Sequence, residues 1–497
     1  MVARRGLTGQ VDACNARTVT TPPVTLPNEF LFGVATAGFQ IEGGYNGPGQ
    51  PSNNWAPWER EGRVEPSGDA TGFFTDPFSQ LDRAAAIGLN SFRLSIEWTR
   101  VEPTEGVIDH GAIDRYRSIL AGIVERGMVP VVTTQHFTHP SWLGAQPWRH
   151  EEATSKLVGW ISRCVDELGD LCRNWVTINE PNILAINSFM TGIFPPGRLL
   201  DGTGLAETFD GLLAAHVAAY DAIHALQDDA IVTTNPYTFS LYELDQVATD
   251  LLCATELGVE LSEVGSWLAE RRRAHYELLG TGSDGVTATL ERALRRVTAS
   301  QLPIADCLPR TRASLSSSTS SRHLDVIAVD HYAPIAATHL VLPGRSTSGG
   351  RWWQPGRALW DDAPDPALFV KVLEEAGQYE RPVWILENGM CNRTRRGRAL
   401  PRLDGLRRPA YLAAHLGAVV EALQHGVDVG GYWHWTLIDN YEWGSYQPRF
   451  GLFGMDRARG HAVAELDAQG DDAAGAFRRI IDGLRRGDTS VVVPPAR

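Results

Sequence analysis

Thr177-Ile178-Asn179-Glu180-Pro181 and Ile385-Leu386-Glu387-Asn388-Gly389 are two short stretches of similar design. In each, β-branched and apolar residues lead to a single glutamate, and loop-forming residues follow. This pattern predicts a strand with a carboxylate at its C-terminal end, where α/β barrels carry their chemistry. The two acids are far apart in the chain, so only a closed fold brings them together. Two buried glutamates in structural ion pairs would give the same local pattern.

A pair of carboxylates on either side of a bond is the arrangement that glycoside hydrolysis uses. One acid gives a proton to the leaving oxygen, and the other meets the oxocarbenium-like carbon. Glu180 and Glu387 are therefore candidates for these two positions.

Short β-rich runs alternate with helical patterns along the chain, which is typical of a parallel sheet covered by helices. Eight such runs predict an α/β fold, a closed (β/α)8 TIM barrel with elaborated βα loops in a single domain. The predicted strands are Leu31–Ala37, Asn90–Ile96, Met128–Thr134, Asn174–Asn179, Ala230–Asn235, Asp325–Asp330, Pro382–Glu387 and Val429–Trp435. The predicted helices between them include Phe78–Ile87, Ala112–Arg126, Lys156–Leu168, Leu205–Leu226 and Tyr411–His425.

The domain boundaries follow from the ends of this pattern. Residues 1–26 are predicted to be a poorly ordered N-terminal extension, and residues 27–497 to be the barrel domain. The long gap between Asn235 and Asp325 contains a charged helical stretch and a predicted loop, Ser314–Ser321, which we interpret as an elaboration of the outer layer.

Composition limits the partners and the compartment. The formal net charge of −14 disfavours nucleic acid and anionic lipid, so an uncharged small molecule is the expected partner. Neither a signal peptide nor a membrane span is predicted from the apolar runs. The six cysteines are scattered without a CxxC motif, which favours a reducing, cytoplasmic compartment. Oligomeric state is left open.

Five motifs in order along the predicted barrel resemble family 1 glycoside hydrolases, the β-glucosidase and β-galactosidase family. The resemblance runs from about Phe30 to Asp456, nearly the whole chain. The motifs that carry it are Phe39–Gly43, Phe92–Trp98, Thr177–Pro181, Ile385–Gly389 and Trp435–Trp443.

The resemblance implies a retaining exo-β-glycosidase acting on β-glucosides or β-galactosides. Glu387 would be the nucleophile of a covalent glycosyl-enzyme, and Glu180 the acid that later becomes the base. Arg93 would keep Glu387 ionised and Tyr332 would hydrogen-bond it, while apolar walls and the neighbouring charge would raise the pKa of Glu180.

The resemblance also implies a set of residues around the sugar. Gln40, His136, Asn179, Glu442 and Trp443 would hold its hydroxyls, with Asn179 at the 2-hydroxyl, and Trp435 would lie under the ring. No cofactor is expected. His136 and His139 have a spacing that a metal site could use, but no third ligand accompanies them, so no metal is expected either.

Three departures from the family concern the substrate. Asp330-His331-Tyr332 stands where the family has Asn-Tyr-Tyr and adds a third carboxylate, and His136-Phe137 replaces His-Trp. An arginine-rich segment after the nucleophile is interpreted as a solvated, flexible connection, and the alternative is an aglycone side that accepts an anionic or polar group. Its arginines are Arg393, Arg395, Arg396, Arg398, Arg402, Arg407 and Arg408.

Two other functions use the same residues. A transglycosidase would pass the sugar from the same covalent intermediate to an alcohol or another sugar. A non-catalytic sugar-binding protein would be expected to lose one of the two acids, and this chain keeps both. Trp352, Trp353 and Trp360 fall between the sixth and seventh strands, where the loops form the mouth of a barrel.

Overall fold

The structure is a computed structural model, and it describes residues 26–27, 29–278, 308–332, 364–395, 398–402, 405–460 and 462–495. Three sequence predictions lie outside these ranges. They are the N-terminal extension as far as residue 25, the three tryptophans between the sixth and seventh strands, and Arg396.

Eight parallel strands form the central sheet, in the order β5-β4-β3-β2-β1-β10-β7-β6. The two ends of this order meet, since the backbone N–H of Asp325 donates to the Val232 carbonyl at 2.9 Å and Tyr237 forms a parallel bridge with Asp330. The sheet is thus a closed (β/α)8 barrel. Its strands are β1 (Leu31–Ala35), β2 (Ser91–Ser95), β3 (Val129–Thr133), β4 (Asn174–Asn179), β5 (Ile231–Asn235), β6 (Ile327–Asp330), β7 (Val383–Asn388) and β10 (Val429–Trp435).

Helices cover the outside of the barrel, and small sheets decorate one end. In one of them β8 (Asn392–Arg395) lies between β11 (Pro448–Arg449) and β9 (Arg398–Ala399) and pairs with both. In the other, β12 (Met455–Asp456) pairs with β13 (Ala462–Val463). The described helices are α1 (Gly38–Ile41), α2 (Ala56–Arg60), α3 (Pro77–Ile87), α4 (Trp98–Val101), α5 (His110–Glu125), α6 (Glu151–Leu168), α7 (Pro181–Phe189), α8 (Gly202–Leu226), α9 (Gln246–Cys253), α10 (Val264–Leu278), α11 (Pro309–Ser317), α12 (Pro366–Gly377), α13 (Arg408–Gln424) and α14 (Ala473–Arg485).

The predicted strands and helices are confirmed, with bounds that shift by a few residues. Predicted loop Ser314–Ser321 is wrong in its first part, because α11 continues to Ser317. Pro309 occupies the first turn of that helix, where its missing N–H costs nothing. The serines of this segment led to the prediction of a loop, because serine favours helix caps and turns over helix interiors.

Large aromatic side chains fill the barrel interior. The indoles of Trp384 and Trp433 lie 5.3 Å apart between ring centroids, and both are buried. Gly33 on the adjacent strand makes room for one of them, because a Cβ at this position would lie 2.2 Å from Cδ1 of Trp433. The interior is therefore packed rather than open, and a ligand can enter only from the ends.

The arginine-rich segment departs from the solvated connection that the sequence suggested. Arg408 begins α13, is fully buried, and donates to the Met390 carbonyl at 2.6 Å and to Asp467 at 3.3 Å. Arg407 forms a two-bond ion pair with Asp471. At least these two arginines anchor the loop after Glu387 to the C-terminal part of the chain, so that part of the prediction is wrong.

Among the helices of the described ranges, none combines the length and apolarity that crossing a membrane requires.

A buried acidic network lies behind the strand ends of β2 and β3. Glu97 is 1% exposed, and its carboxylate accepts from Thr138 at 2.7 Å and from Ser95 at 3.3 Å. Burial, followed by the negative charge of Glu42, raises the pKa of Glu97 from 4.5 to about 7. Arg100 forms an ion pair with Glu42 at 2.9 Å. Among the described residues, no ion pair joins Arg100 to Glu97.

Glu97→Gln is expected to stabilise the protein at alkaline pH. The folded-state pKa of Glu97 lies above its unfolded value, so its favourable contribution is complete below pH 4.5 and is lost as the pH rises through about 7. At pH 8 the variant should therefore gain about 1–3 kcal/mol in free energy of unfolding, with little gain at pH 5. Denaturant unfolding of both proteins at the two pH values measures this, and an equal change at both would contradict it.

Candidate active site

Three carboxyl groups meet at the C-terminal end of the barrel. Glu180 follows β4, Glu387 lies in β7, and Asp330 ends β6, where it pairs in register with Glu387. One oxygen from each of the three lies within 4.8 Å of the other two. Retaining glycosidases hold their two carboxyl groups about 5–5.5 Å apart so that the nucleophile reaches carbon directly. The separation of Glu180 and Glu387 fits that arrangement.

Local backbone geometry turns the Glu180 side chain into the site. Glu180 has φ 38° and ψ 62°, in the left-handed region, and α7 begins at the next residue, Pro181. Its backbone N–H donates to the Asn235 carbonyl at 2.9 Å, which ties the turn to the neighbouring strand. Its Oε1 is buried and accepts from no donor group among the described residues. The carboxyl is thus presented rather than used for capping.

Glu387 is held from both sides. Arg93 Nη1 lies 2.6 Å from its Oε1, and the Tyr332 hydroxyl donates to its Oε2 at 2.7 Å. Arg93 is fully buried on β2, and its Nη2 donates to the Asn179 side-chain oxygen at 2.5 Å. Gly389 lies two residues after Glu387, and a Cβ at this position would lie 2.2 Å from the Trp435 carbonyl oxygen. These contacts fix the orientation of the carboxylate toward the site.

The two glutamates have different pKa values because their surroundings differ. Burial, then the negative charges of Glu387 and Asp330, raises the pKa of Glu180 well above its usual range. Burial also raises the pKa of Glu387, but the Arg93 charge and the Tyr332 hydrogen bond oppose that shift. Glu387 is therefore the group that ionises first, and Glu180 the one that keeps its proton.

The expected sugar-binding residues gather on the other side of the carboxyl groups. Gln40 Nε2 donates to Glu442 at 2.9 Å, and Trp435 Nε1 donates to the second oxygen of that carboxylate at 3.1 Å. The His136 ring lies 5.9 Å from that of Trp435 and stacks on Trp443 at 5.7 Å. Burial raises the pKa of Glu442 to about 8.

Unsatisfied polar atoms mark the same pocket. Gln40 Oε1, His136 Nδ1 and Asn179 Nδ2 are buried, and none has a hydrogen-bond partner in the part of the chain that the structure describes. Buried polar atoms are nearly always paired, so a cluster of unpaired ones around two carboxyls indicates a site for a polyhydroxylated ligand. The oxygen of Asn179 is already used by Arg93, which leaves its Nδ2 for the ligand.

His136 and His139, the pair considered for metal binding, contact different parts of the structure. His139 Nε2 lies 3.0 Å from the Gly144 carbonyl, whereas His136 faces the tryptophans. In the described ranges the sole group of three potential ligands is Glu180, Asp330 and Glu387. Both Glu387 oxygens are already engaged by Arg93 and Tyr332, and the guanidinium already supplies positive charge there.

Phe137, one of the three departures from the family, packs into the aromatic wall. Its ring lies 4.9 Å from that of Trp443 and 5.2 Å from that of Phe194. Phe137 also adopts φ 65°, in the left-handed region. Phe137, although smaller than tryptophan, thus still packs against the Trp443 ring.

Two residues of the site were missed by the sequence reasoning. Asn235, at the end of β5, donates from Nδ2 to the Asn179 oxygen at 2.7 Å and to Asp330. Tyr237 stacks on Tyr332, with ring centroids 5.8 Å apart and planes 9° from parallel. Both follow a strand end, so the rule that singled out Glu180 would have found them.

A closed barrel whose strand ends carry two buried carboxyls at this separation defines a retaining glycoside hydrolase. The sequence profile described as Glycosyl hydrolase family 1 matches residues 23–304 and 352–465. The chain belongs to this family, and it is a retaining β-glycosidase.

Individual relatives agree with this assignment. The chain is 27% identical to Beta-glucosidase 47 of Arabidopsis thaliana, with 89% of this chain and 83% of that protein covered. It is 26% identical to a Beta-galactosidase of Sulfolobus acidocaldarius, with 87% and 91% covered. A Beta-glucosidase from Thermotoga maritima, solved in complex with galacto-hydroximolactam, superposes with a TM-score of 0.68 at 22% identity over 93% of this chain and 99% of that one, which shows the fold alone.

Proposed function

We propose that Glu387 is the nucleophile and Glu180 the acid/base of an exo-β-glycosidase that hydrolyses β-glucosides or β-galactosides. The observation that carries the proposal is the close approach of these carboxyls, of which Arg93 and Tyr332 hydrogen-bond to Glu387 and not to Glu180. A carboxylate held by a guanidinium stays ionised for attack, and a buried one without a cation keeps a proton to give.

The sugar would lie between the catalytic carboxyls and the Gln40–Glu442 pair. Gln40, His136, Glu442 and Trp443 would hold the hydroxyls away from the anomeric carbon, and Trp435 would lie under the ring. Asn179 Nδ2 would donate to the 2-hydroxyl, a contact that strengthens in the transition state. Substrates named for the relatives, glucosides and galactosides, differ in the orientation of O4.

A panel of aryl β-glycosides, each differing in one hydroxyl, tests this proposal. Glucoside and galactoside should be cleaved with retention of the anomeric configuration, which NMR of the first-formed product reports. Loss of the 2-hydroxyl should cost the most in kcat/KM, because Asn179 Nδ2 and Glu387 both lie on that side. An inverted first product would overturn the proposal.

A sugar 6-phosphate should be a poor substrate. Glu442 would oppose its charge and Trp443 would fill its space. The two residues shortly after them that could bind a phosphate, Ser445 and Arg449, each contact another group of the protein. Ser445 donates to Glu65 at 3.2 Å, and buried Arg449 contacts the Met455 carbonyl and Asp439. We expect a preference for the unphosphorylated glycoside of at least ~100-fold in kcat/KM, or about 2.7 kcal/mol.

The matched pair of an aryl β-glucoside and its 6-phosphate measures this preference. Comparable or faster cleavage of the phosphorylated member would contradict it. The arginines after Glu387 would then be the first place to look for a phosphate site.

We also propose a reducing, cytoplasmic location. Cys164, Cys172 and Cys253 are buried free thiols, which is compatible with that compartment.

A further inference from the structure

Asp330 is a buried acid for which the proposed reaction has no role. Its side chain is fully inaccessible, and its Oδ2 accepts from Asn235 Nδ2. Among the described residues, the cation that faces the three carboxyls is the Arg93 guanidinium, and its ion pair is with Glu387. Three buried carboxylates and one guanidinium would leave two uncompensated charges, which a protein interior does not tolerate without protonation.

The carboxyl groups of Glu180 and Asp330 lie close together, with one oxygen of each within 4.8 Å of the other. Glu180 Oε1 and Asp330 Oδ1 are buried, and no donor group among the described residues contacts either of them. The two carboxyl groups therefore interact with each other as a hydrogen-bonded pair. Two ionised carboxylates both lack a donor, so such a contact requires that one of them carries a proton.

We propose that Glu180 and Asp330 hold one proton between them, and that Asp330 is a positioning residue that keeps the acid/base protonated until the glycosidic oxygen takes the proton. The inference rests on the assignment of Glu180 as acid/base.

The proposal accounts for the proton in both steps of the reaction. In the first, the pair's proton moves to the glycosidic oxygen, which also takes the electron pair of the breaking C1–O bond, while a Glu387 oxygen bonds to C1. In the second, water attacks C1, the ester bond to Glu387 breaks, and the pair receives the water's proton. Asp330 acts throughout by raising the proton affinity of Glu180.

The surroundings determine the direction of the pH dependence. The side chains facing this pair come from every adjoining strand, and most of the charge is negative. They are Arg93 on β2, Asn235 on β5, Tyr332 after β6, Glu387 on β7 and, beyond Glu387, Glu442. Removing the Asp330 charge leaves Arg93 opposed by fewer anions, so the pair's proton should be lost at lower pH.

Asp330→Asn tests this with almost no change of shape. In a plot of kcat/KM against pH for an aryl β-glucoside, we expect the alkaline limb to move to lower pH by about one unit or more. The reason is that the substitution removes a carboxylate oxygen within 4.8 Å of Glu180. An alkaline limb that stays in place would overturn the proposal. Glu97→Gln is the matched control, because it removes another buried carboxyl of raised pKa from a separate network. It should leave the limb unmoved, and an equal shift would also overturn the proposal.

Infrared spectroscopy of Glu180→Gln provides an independent test that does not need the Asp330→Asn variant to fold. In the difference spectrum of the wild-type protein minus Glu180→Gln near neutral pH, we expect the carbonyl band of one protonated carboxyl, because the amide is neutral and can donate to an ionised Asp330. Glu97 and Glu442, whose pKa values are also raised, contribute equally to both proteins and cancel. A difference spectrum without this band would overturn the shared proton. Failure of the acid/base assignment gives a different sign, since Glu180→Gln would then slow good and poor leaving groups equally.

Discussion

Glu387→Ala is expected to lower kcat for every β-glycoside by at least ~10⁴-fold, because it removes the group that forms the covalent bond to C1. The cavity left beside Arg93 should admit a small anion. Azide should therefore restore part of the turnover with an activated aryl glycoside. The azide attacks from the nucleophile's side and is not displaced again, so the glycosyl azide should have the inverted configuration.

Product analysis by NMR distinguishes this outcome from an indirect one. Glu125→Ala is a suitable control, since Glu125 is exposed at the end of α5 and far from the carboxyl cluster in the fold. It should keep full turnover and show no azide effect. A retained product from Glu387→Ala with azide would remove Glu387 from the nucleophile's role.

Glu180→Gln should separate substrates by their leaving groups. Substrates with poor leaving groups need the proton and should lose about 10²–10⁴-fold in kcat/KM, whereas activated aryl glycosides should lose far less. A plot of log kcat/KM against leaving-group pKa should therefore become steeper in the variant. The amide keeps the shape of the carboxyl, so packing around α7 stays comparable.

A second measurement belongs to the same variant. The alkaline limb of the wild-type pH profile reports loss of the acid's proton, and it should flatten for activated substrates in Glu180→Gln. Equal losses for good and poor leaving groups would exclude Glu180 from the acid role.

Much of the fold could be predicted because its signals are local. Strands β3 to β7 are short runs rich in β-branched residues with a polar residue at the end, and the structure keeps those runs with small changes of boundary. The start of α5 shows how the boundaries could be sharpened. Asp109 accepts from the Ala112 N–H as an N-cap, so the helix begins at His110 rather than at the first apolar residue.

What could not be predicted depends on contacts across the barrel. In the sequence, Arg408 cannot be told from the other arginines of its segment. Its burial is favourable only because Asp467 and the Met390 carbonyl lie beside its guanidinium in the folded structure. In the same way, Asp330 reads as a conservative exchange for Asn. Its effect becomes visible only when Glu180 and Asn235 are placed beside it.

At Glu180, the backbone conformation that presents the carboxyl to the site also lowers the stability of the fold. A side chain with φ 38° crowds its own backbone, at a cost of about 1 kcal/mol or more that glycine would not incur. The N–H bond to the Asn235 carbonyl and the start of α7 at Pro181 hold the turn in this conformation. Substitutions chosen only for thermostability would therefore tend to remove the very residue on which turnover depends, and stabilising changes in this enzyme are better sought away from the turn between β4 and α7.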